Sequence, residues 1–172
     1  MNREIVSKSI LKTLEAVFNV NPSQGDENIK HSVKLLAYII SKNADYKKAL
    51  MSVGEFHEKD LETSSRFLTL GAKVVSELAQ MVENYSNENK WHSFVFEVMA
   101  RHEKYHVTSD HFEAFVHHVR DFVYENTVVE EDARRAWDQL CTDFCEQTRM
   151  QLALLGLKDR VKHNQNGVPK PS

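Results

Sequence analysis

Apolar residues recur every three or four positions along nearly the whole chain, and no two-residue alternation persists. That period belongs to amphipathic helices, each with one buried stripe. Val6, Ile10, Leu14 and Val17/Phe18 mark a first helix, and Asn19 to Asn28 reads as a turn-rich connection. Val33, Leu36, Tyr38 and Ile39/Ile40 mark a second helix that ends before Asn43, with short helical pieces or loop from Asp45 to about Glu58. The clearest stripe is Phe67, Leu70/Gly71, Val74/Val75, Leu78 and Met81/Val82, on a helix starting near Asp60 and fading into a polar gap at Asn84–Asn89. Trp91, Phe94/Val95 and Val98/Met99 mark the next helix. Asp110 with Glu113 reads as a capping pair opening another, whose face is Phe112, Phe115/Val116, Val119 and Phe122/Val123. A last long helix carries Ala133, Trp137, Leu140/Cys141, Phe144 and Thr148 to about Leu155. From Lys158 the chain turns polar, so residues 1–157 are expected to form one domain and 158–172 a disordered tail.

Composition adds limits to this all-α picture. With 172 residues and 41% hydrophobic content, the chain can build one core of ordinary size. Five Gly and three Pro are few, as long helices require. A formal net charge of -3 and a pI of about 6.3, with no basic stripe, argue against a nucleic-acid partner. No apolar run is long enough to span a membrane, and the opening Met1-Asn2-Arg3-Glu4 lacks both the apolar run of a signal peptide and the glycine that myristoylation needs. Cys141 and Cys145 stand four apart on one helix. That spacing rarely suits a disulfide, so reduced thiols and a cytoplasmic location are expected.

The chemistry concentrates in His102-Glu103-Lys104-Tyr105-His106. His102 follows Val98 by four residues and Met99 by three, so it extends the apolar face of its helix. A histidine there is either a satisfied core residue or a ligand facing a pocket. The same five residues also match H-E-x-x-H, in which two histidines one helical turn apart hold zinc and the glutamate activates its water. Against that reading, Thr108-Ser109-Asp110 opens a new helix, leaving His106 at or beyond the end of the old one. No clear third ligand follows; His111, His117 and His118 are candidates only because histidines are plentiful. The scattered His92, His106, His111, His117 and His118 have no recognised spacing for a structural zinc either.

The order of several segments is more specific than any one of them. His102 is followed by Val107 and then Phe112, at intervals of five. Upstream lies Arg66-Phe67-Leu68-Thr69-Leu70-Gly71-Ala72-Lys73-Val74-Val75, with 32 residues from Leu70 to His102, and downstream lies Ala136-Trp137. Together these resemble the globin family, most closely the nematode intracellular globins, over roughly residues 2–155. The opening Asn2-Arg3-Glu4, the run through Leu14-Glu15 and Arg101–Tyr105 add to the likeness.

The resemblance implies a globin-like fold of six to eight helices around a haem b group. It makes His102 the iron ligand, with Val98, Val107 and Phe112 on its side of the haem and Leu36, Leu70 and Val74 on the distal side. Two positions depart from the family's pattern. Leu50 stands where a phenylalanine normally wedges the haem, and Leu70 stands where His or Gln is usual. The register through residues 43–60 leaves Phe56 or His57 as other candidates for the pocket. An aliphatic distal set implies five-coordinate ferrous iron with an open sixth position, reversible binding of dioxygen, carbon monoxide or nitric oxide, and no catalysis on an organic substrate. A reductase is a possible partner. The Leu50 departure keeps open a haem-free module that binds another apolar ligand or a protein.

Overall fold

A computed structural model describes residues 1–18, 25–43, 46, 61, 63–105 and 107–166, with side chains left aside for 25–30 and 157–166. Among the described residues there are six α-helices and no strand: α1 (Arg3–Phe18), α2 (Gly25–Lys42), α3 (Ser65–Tyr85), α4 (Glu88–His102), α5 (Ser109–Asn126) and α6 (Glu131–Asn166). A 3₁₀ turn, Glu103–Tyr105, follows α4 directly. The apolar stripes fall on these helices as the periodicity predicts, and the differences lie at the ends.

Side chains that can satisfy free backbone groups set those ends. Asn2 Oδ1 accepts the Glu4 amide at 2.8 Å and opens α1. Asn87 Oδ1 accepts the Lys90 amide at 3.1 Å and opens α4. The polar run Asn84–Asn89 is therefore mostly helix end and cap, with only Ser86 and Asn87 between α3 and α4. At α5 the cap is Thr108, not the Asp110–Glu113 pair. Thr108 donates its backbone N–H to His111 Nδ1 at 3.1 Å, and its hydroxyl bonds the α5 backbone in return. Helix α2 starts at Gly25, inside the segment expected to be a connection, and α3 starts at Ser65 rather than near Asp60. Helix α6 continues past Leu157 to Asn166, and no proline stands within it.

Helices α1 and α5 both lie along α6, α4 packs on α3 and α6, and α2 crosses α3. At that crossing the backbones meet at Gly71, where an added Cβ would lie 2.9 Å from the Ser32 carbonyl carbon. Polar ties pin the packed helices. The Ser7 hydroxyl donates to the Val82 carbonyl at 2.7 Å, joining α1 to α3. Trp137 Nε1 donates to Thr13 Oγ1 at 3.0 Å, and Thr13 donates onward to the Ile10 carbonyl at 2.8 Å. Both tryptophans are fully enclosed, and the indole N–H of Trp137 is satisfied, as burial requires.

The apolar interior divides in two. The larger cluster runs through Val6, Leu78, Trp91, Met99, Phe112 and Trp137. The smaller one is Val33, Leu36, Ile40, Leu61 and Phe67. Val74 on α3 packs against both.

Candidate functional site

His102 is the last residue of α4 and is partly buried. Its Nδ1 lies 2.8 Å from the Val98 carbonyl oxygen, one turn back on the same helix. A carbonyl oxygen can only accept, so Nδ1 carries a proton, and in the neutral tautomer this selects it is Nε2 that offers the lone pair. That hydrogen bond fixes both the tautomer and the ring. Metal-binding histidines are commonly held in the same way. Phe112 stands edge-on to the imidazole, with ring centroids 5.5 Å apart and planes at 81°. Tyr105 touches it from the 3₁₀ turn at 6.3 Å.

The other residues singled out in the sequence fall into two groups. Met99 and Phe112 belong to the larger cluster, and Val98 and Val107 pack against it. Leu36 belongs to the smaller cluster, and Leu70 packs against that one. Val74 lies between the two, itself only half-buried. Two apolar surfaces thus meet along α3, one containing Phe112, which packs on the His102 ring, and the other carrying Leu36 and Leu70. Leu50, Phe56, His57 and His106 lie outside the described residues.

Reasoning from sequence missed two parts of this arrangement. Ile40 and Leu61 complete the cluster around Leu36, and their grouping depends on how α2 packs on α3. Tyr46 donates its hydroxyl to the His111 carbonyl at 2.5 Å and so braces the first turn of α5, next to Phe112. Burial pushes the Tyr46 phenol up to about 12, so it remains a donor at neutral pH. A lone tyrosine in a polar stretch gave no signal of this role. Gly71, by contrast, had one: a glycine inside an otherwise regular helix stripe marks a close approach.

The described residues do not continue the α-helix that an H-E-x-x-H pair needs. Helix α4 ends at His102, and the 3₁₀ turn that follows breaks the register that would stack a second histidine one turn on. Among the described residues no group of three His, Cys, Asp or Glu side chains could hold a metal ion. Cys141 and Cys145 are free and buried, and no described helix is long and apolar enough to cross a membrane.

A donor nitrogen with its lone pair free, on the edge of a divided apolar interior, has the chemistry to hold a flat, apolar metal macrocycle. Comparison with known proteins bears on the family and the fold. Residues 33–148, more than half of the chain, match the Globin family. The cuticular globin isoform of Nippostrongylus brasiliensis is 25% identical over 154 residues, covering 88% of this chain and 86% of that one. The myoglobin of the same nematode is 26% identical over 120 residues, covering 70% and 78%. Among solved structures, a C. elegans globin-like protein superposes with a TM-score of 0.80 at 20% identity, covering 91% of this chain and 97% of its own. Ferric myoglobin from Aplysia limacina superposes at 0.69 with 17% identity, covering 87% and 95%. The superposed helices show the fold and the match over residues 33–148 shows the family: the chain belongs to the globin family.

Proposed function

We propose that this globin binds haem b through Nε2 of His102 and reversibly takes up dioxygen or another diatomic gas on the opposite face. The observation that carries the reading is the bond from His102 Nδ1 to the Val98 carbonyl, which leaves Nε2 as a ready ligand. The donor set fits the group: one imidazole held by the Val98 carbonyl, a perpendicular Phe112 beside it, and aliphatic Val98 and Val107 packed on the cluster that contains Phe112. Leu36, Leu70 and Val74 would line the other face. When bound, the haem would supply an iron centre with one coordination position open to a small ligand.

The work of the chain's own residues is then plain. Val98 orients the ligand ring, Phe112 limits its rotation, and the aliphatic side chains exclude water. None of Leu36, Leu70 and Val74 can donate a hydrogen bond, so bound dioxygen would gain no stabilisation from these three. Leu50 belongs to the same proposed pocket by the family resemblance. The chain would act as a binder rather than an enzyme. Relatives described as cuticular and extracellular widen the possible locations, while the two free thiols favour the cytoplasmic one.

The test is the absorption spectrum of the purified chain reconstituted with haem, beside His102→Gly. A five-coordinate ferrous spectrum in the parent, lost or reshaped in the variant, supports the reading. A parent that fails to hold haem overturns it and leaves a haem-free globin module.

A further inference from the structure

A continuous file of rings leads away from His102 through the core. Phe112 meets His102 at 5.5 Å between ring centroids and meets Phe144 at 6.4 Å. Phe144 meets Trp91 at 6.1 Å, and Trp91 meets Tyr85 edge-on at 5.0 Å. The file ends beneath the surface. The Tyr85 ring is fully buried, and its hydroxyl donates to the Asp143 carboxylate while accepting from Gln139 Nε2 at 3.1 Å. Arg3 lies over the same ring at 4.7 Å and pairs with Asp143 at 3.8 Å.

Indole and phenol are the side chains most easily oxidised by one electron, and here they are in contact with each other. A phenol must lose its proton when it loses an electron. Tyr85 holds that proton firmly in the resting state, pushed up to about 12 by burial and by Asp143. The Arg3 guanidinium over the ring disfavours a cationic phenol, so oxidation has to be coupled to proton release. The carboxylate that would receive the proton is already hydrogen-bonded to the hydroxyl.

We propose that Trp91 and Tyr85 form a one-electron relay between the His102 site and the protein surface at Asp143, with Phe112 and Phe144 as the bridge. The inward leg rests on the haem reading given above. The oxidant is hydrogen peroxide, whose O–O bond breaks as it takes two electrons and two solvent protons to give two waters. Trp91 supplies one of these electrons and a one-electron reductant in solution the other, so a ferric haem would end ferric. Tyr85 then reduces the oxidised indole back to its neutral form, and its phenolic proton moves to Asp143. The product is a neutral tyrosyl radical at Tyr85, enclosed in the core and separated from solvent by Arg3, Asp143 and Gln139.

Two experiments test the relay. The first uses the full chain without haem. Trp91 is oxidised by a flash with a ruthenium polypyridyl photosensitiser and a cobalt(III) quencher, and the radicals are followed by transient absorption. An indole radical should give way to a tyrosyl radical. Tyr85→Phe should abolish the second signal and prolong the first, Trp91→Phe should remove the fast route to the tyrosyl signal, and Asp143→Asn should slow it. A tyrosyl signal indifferent to both Tyr85→Phe and Asp143→Asn overturns the proposal.

The second experiment treats the ferric, haem-loaded chain with peroxide and reads the radical by electron paramagnetic resonance. The signal should vanish in Tyr85→Phe and weaken in Phe144→Leu. A signal that vanishes instead in Tyr105→Phe overturns the inward leg, because Tyr105 also touches His102. A chain that takes up no haem defeats the haem reading, and the flash experiment still decides the Trp91–Tyr85 step.

Discussion

Gly71 on α3 and Ser32 on α2 meet so closely that a Cβ at Gly71 would lie 2.9 Å from the Ser32 carbonyl carbon, 3.0 Å from its carbonyl oxygen and 3.0 Å from its hydroxyl. Two of these atoms are backbone and cannot rotate away, so the helices themselves would have to move. The contact lies beside Leu70 and one turn before Val74, and it therefore sets the spacing of the proposed distal wall. Alanine would gain about 1 kcal/mol of helix propensity at this position. Overpacking costs typically ~1–3 kcal/mol, and a backbone clash belongs at the upper end of that range. Gly71→Ala should therefore lower stability in urea unfolding and weaken haem retention. An unchanged midpoint would mean that α2 and α3 slide past one another freely.

Leu70 should govern how fast dioxygen leaves. A hydrogen bond to a charged partner is worth roughly 1.5–3 kcal/mol. Leu70→His or Leu70→Gln should therefore slow oxygen dissociation by about 10- to 150-fold. Carbon monoxide depends less on such a bond, and its dissociation should change far less. Stopped-flow release of each gas reads the difference, and an unchanged oxygen rate would remove Leu70 from the distal position.

Thr13 is the acceptor for the enclosed indole of Trp137. Thr13→Val keeps the shape but leaves a buried N–H unpaired, which should cost about 1–3 kcal/mol. Thr13→Ser keeps the oxygen and should cost less. Urea unfolding followed by tryptophan fluorescence separates the two, and equal losses would assign the effect to the methyl group instead.

Alkaline pH should weaken the fold through groups that burial keeps protonated. The Cys141 thiol is pushed from 9.0 to about 12, chiefly by burial, and the phenols of Tyr46, Tyr85 and Tyr124 rise from 10.0 to about 12. Each folded-state value lies above its unfolded one, so the unfolded chain loses the proton first as pH rises. The stabilisation is complete below pH 9 and disappears between about pH 9 and 12. Chemical denaturation across that window should show falling midpoints, with the thiol contribution missing in Cys141→Ala. A flat profile would mean that these groups reach solvent in the native state.

How much of this was legible beforehand depended on range. His102 and its orienting carbonyl are four residues apart, so helical spacing alone brought the ring to the apolar face beside Val98. The stripes through Phe67–Val82 and Phe112–Val123 were equally local, and the structure follows them closely. Helix ends were harder to read because several polar side chains competed. Thr108 won the α5 cap over Asp110, and its partner proved to be His111, a residue with no acidic group to mark it. The smaller cluster was not legible, because Val33, Leu36, Ile40 and Leu61 come together only after α2 has crossed α3. Leu50, where the family resemblance placed a departure from its usual phenylalanine, lies outside the described residues.

The family match ends at Thr148, yet helix α6 runs without a break to Asn166. A helix that begins inside a folded body passes its axis direction to whatever is joined to its far end. Each added residue advances an attachment by about 1.5 Å and turns it by roughly 100°. A fluorescent or redox reporter fused after Asn166 would therefore stand at an orientation set by the register of α6, and single-residue insertions would turn it about the helix axis like the hand of a clock.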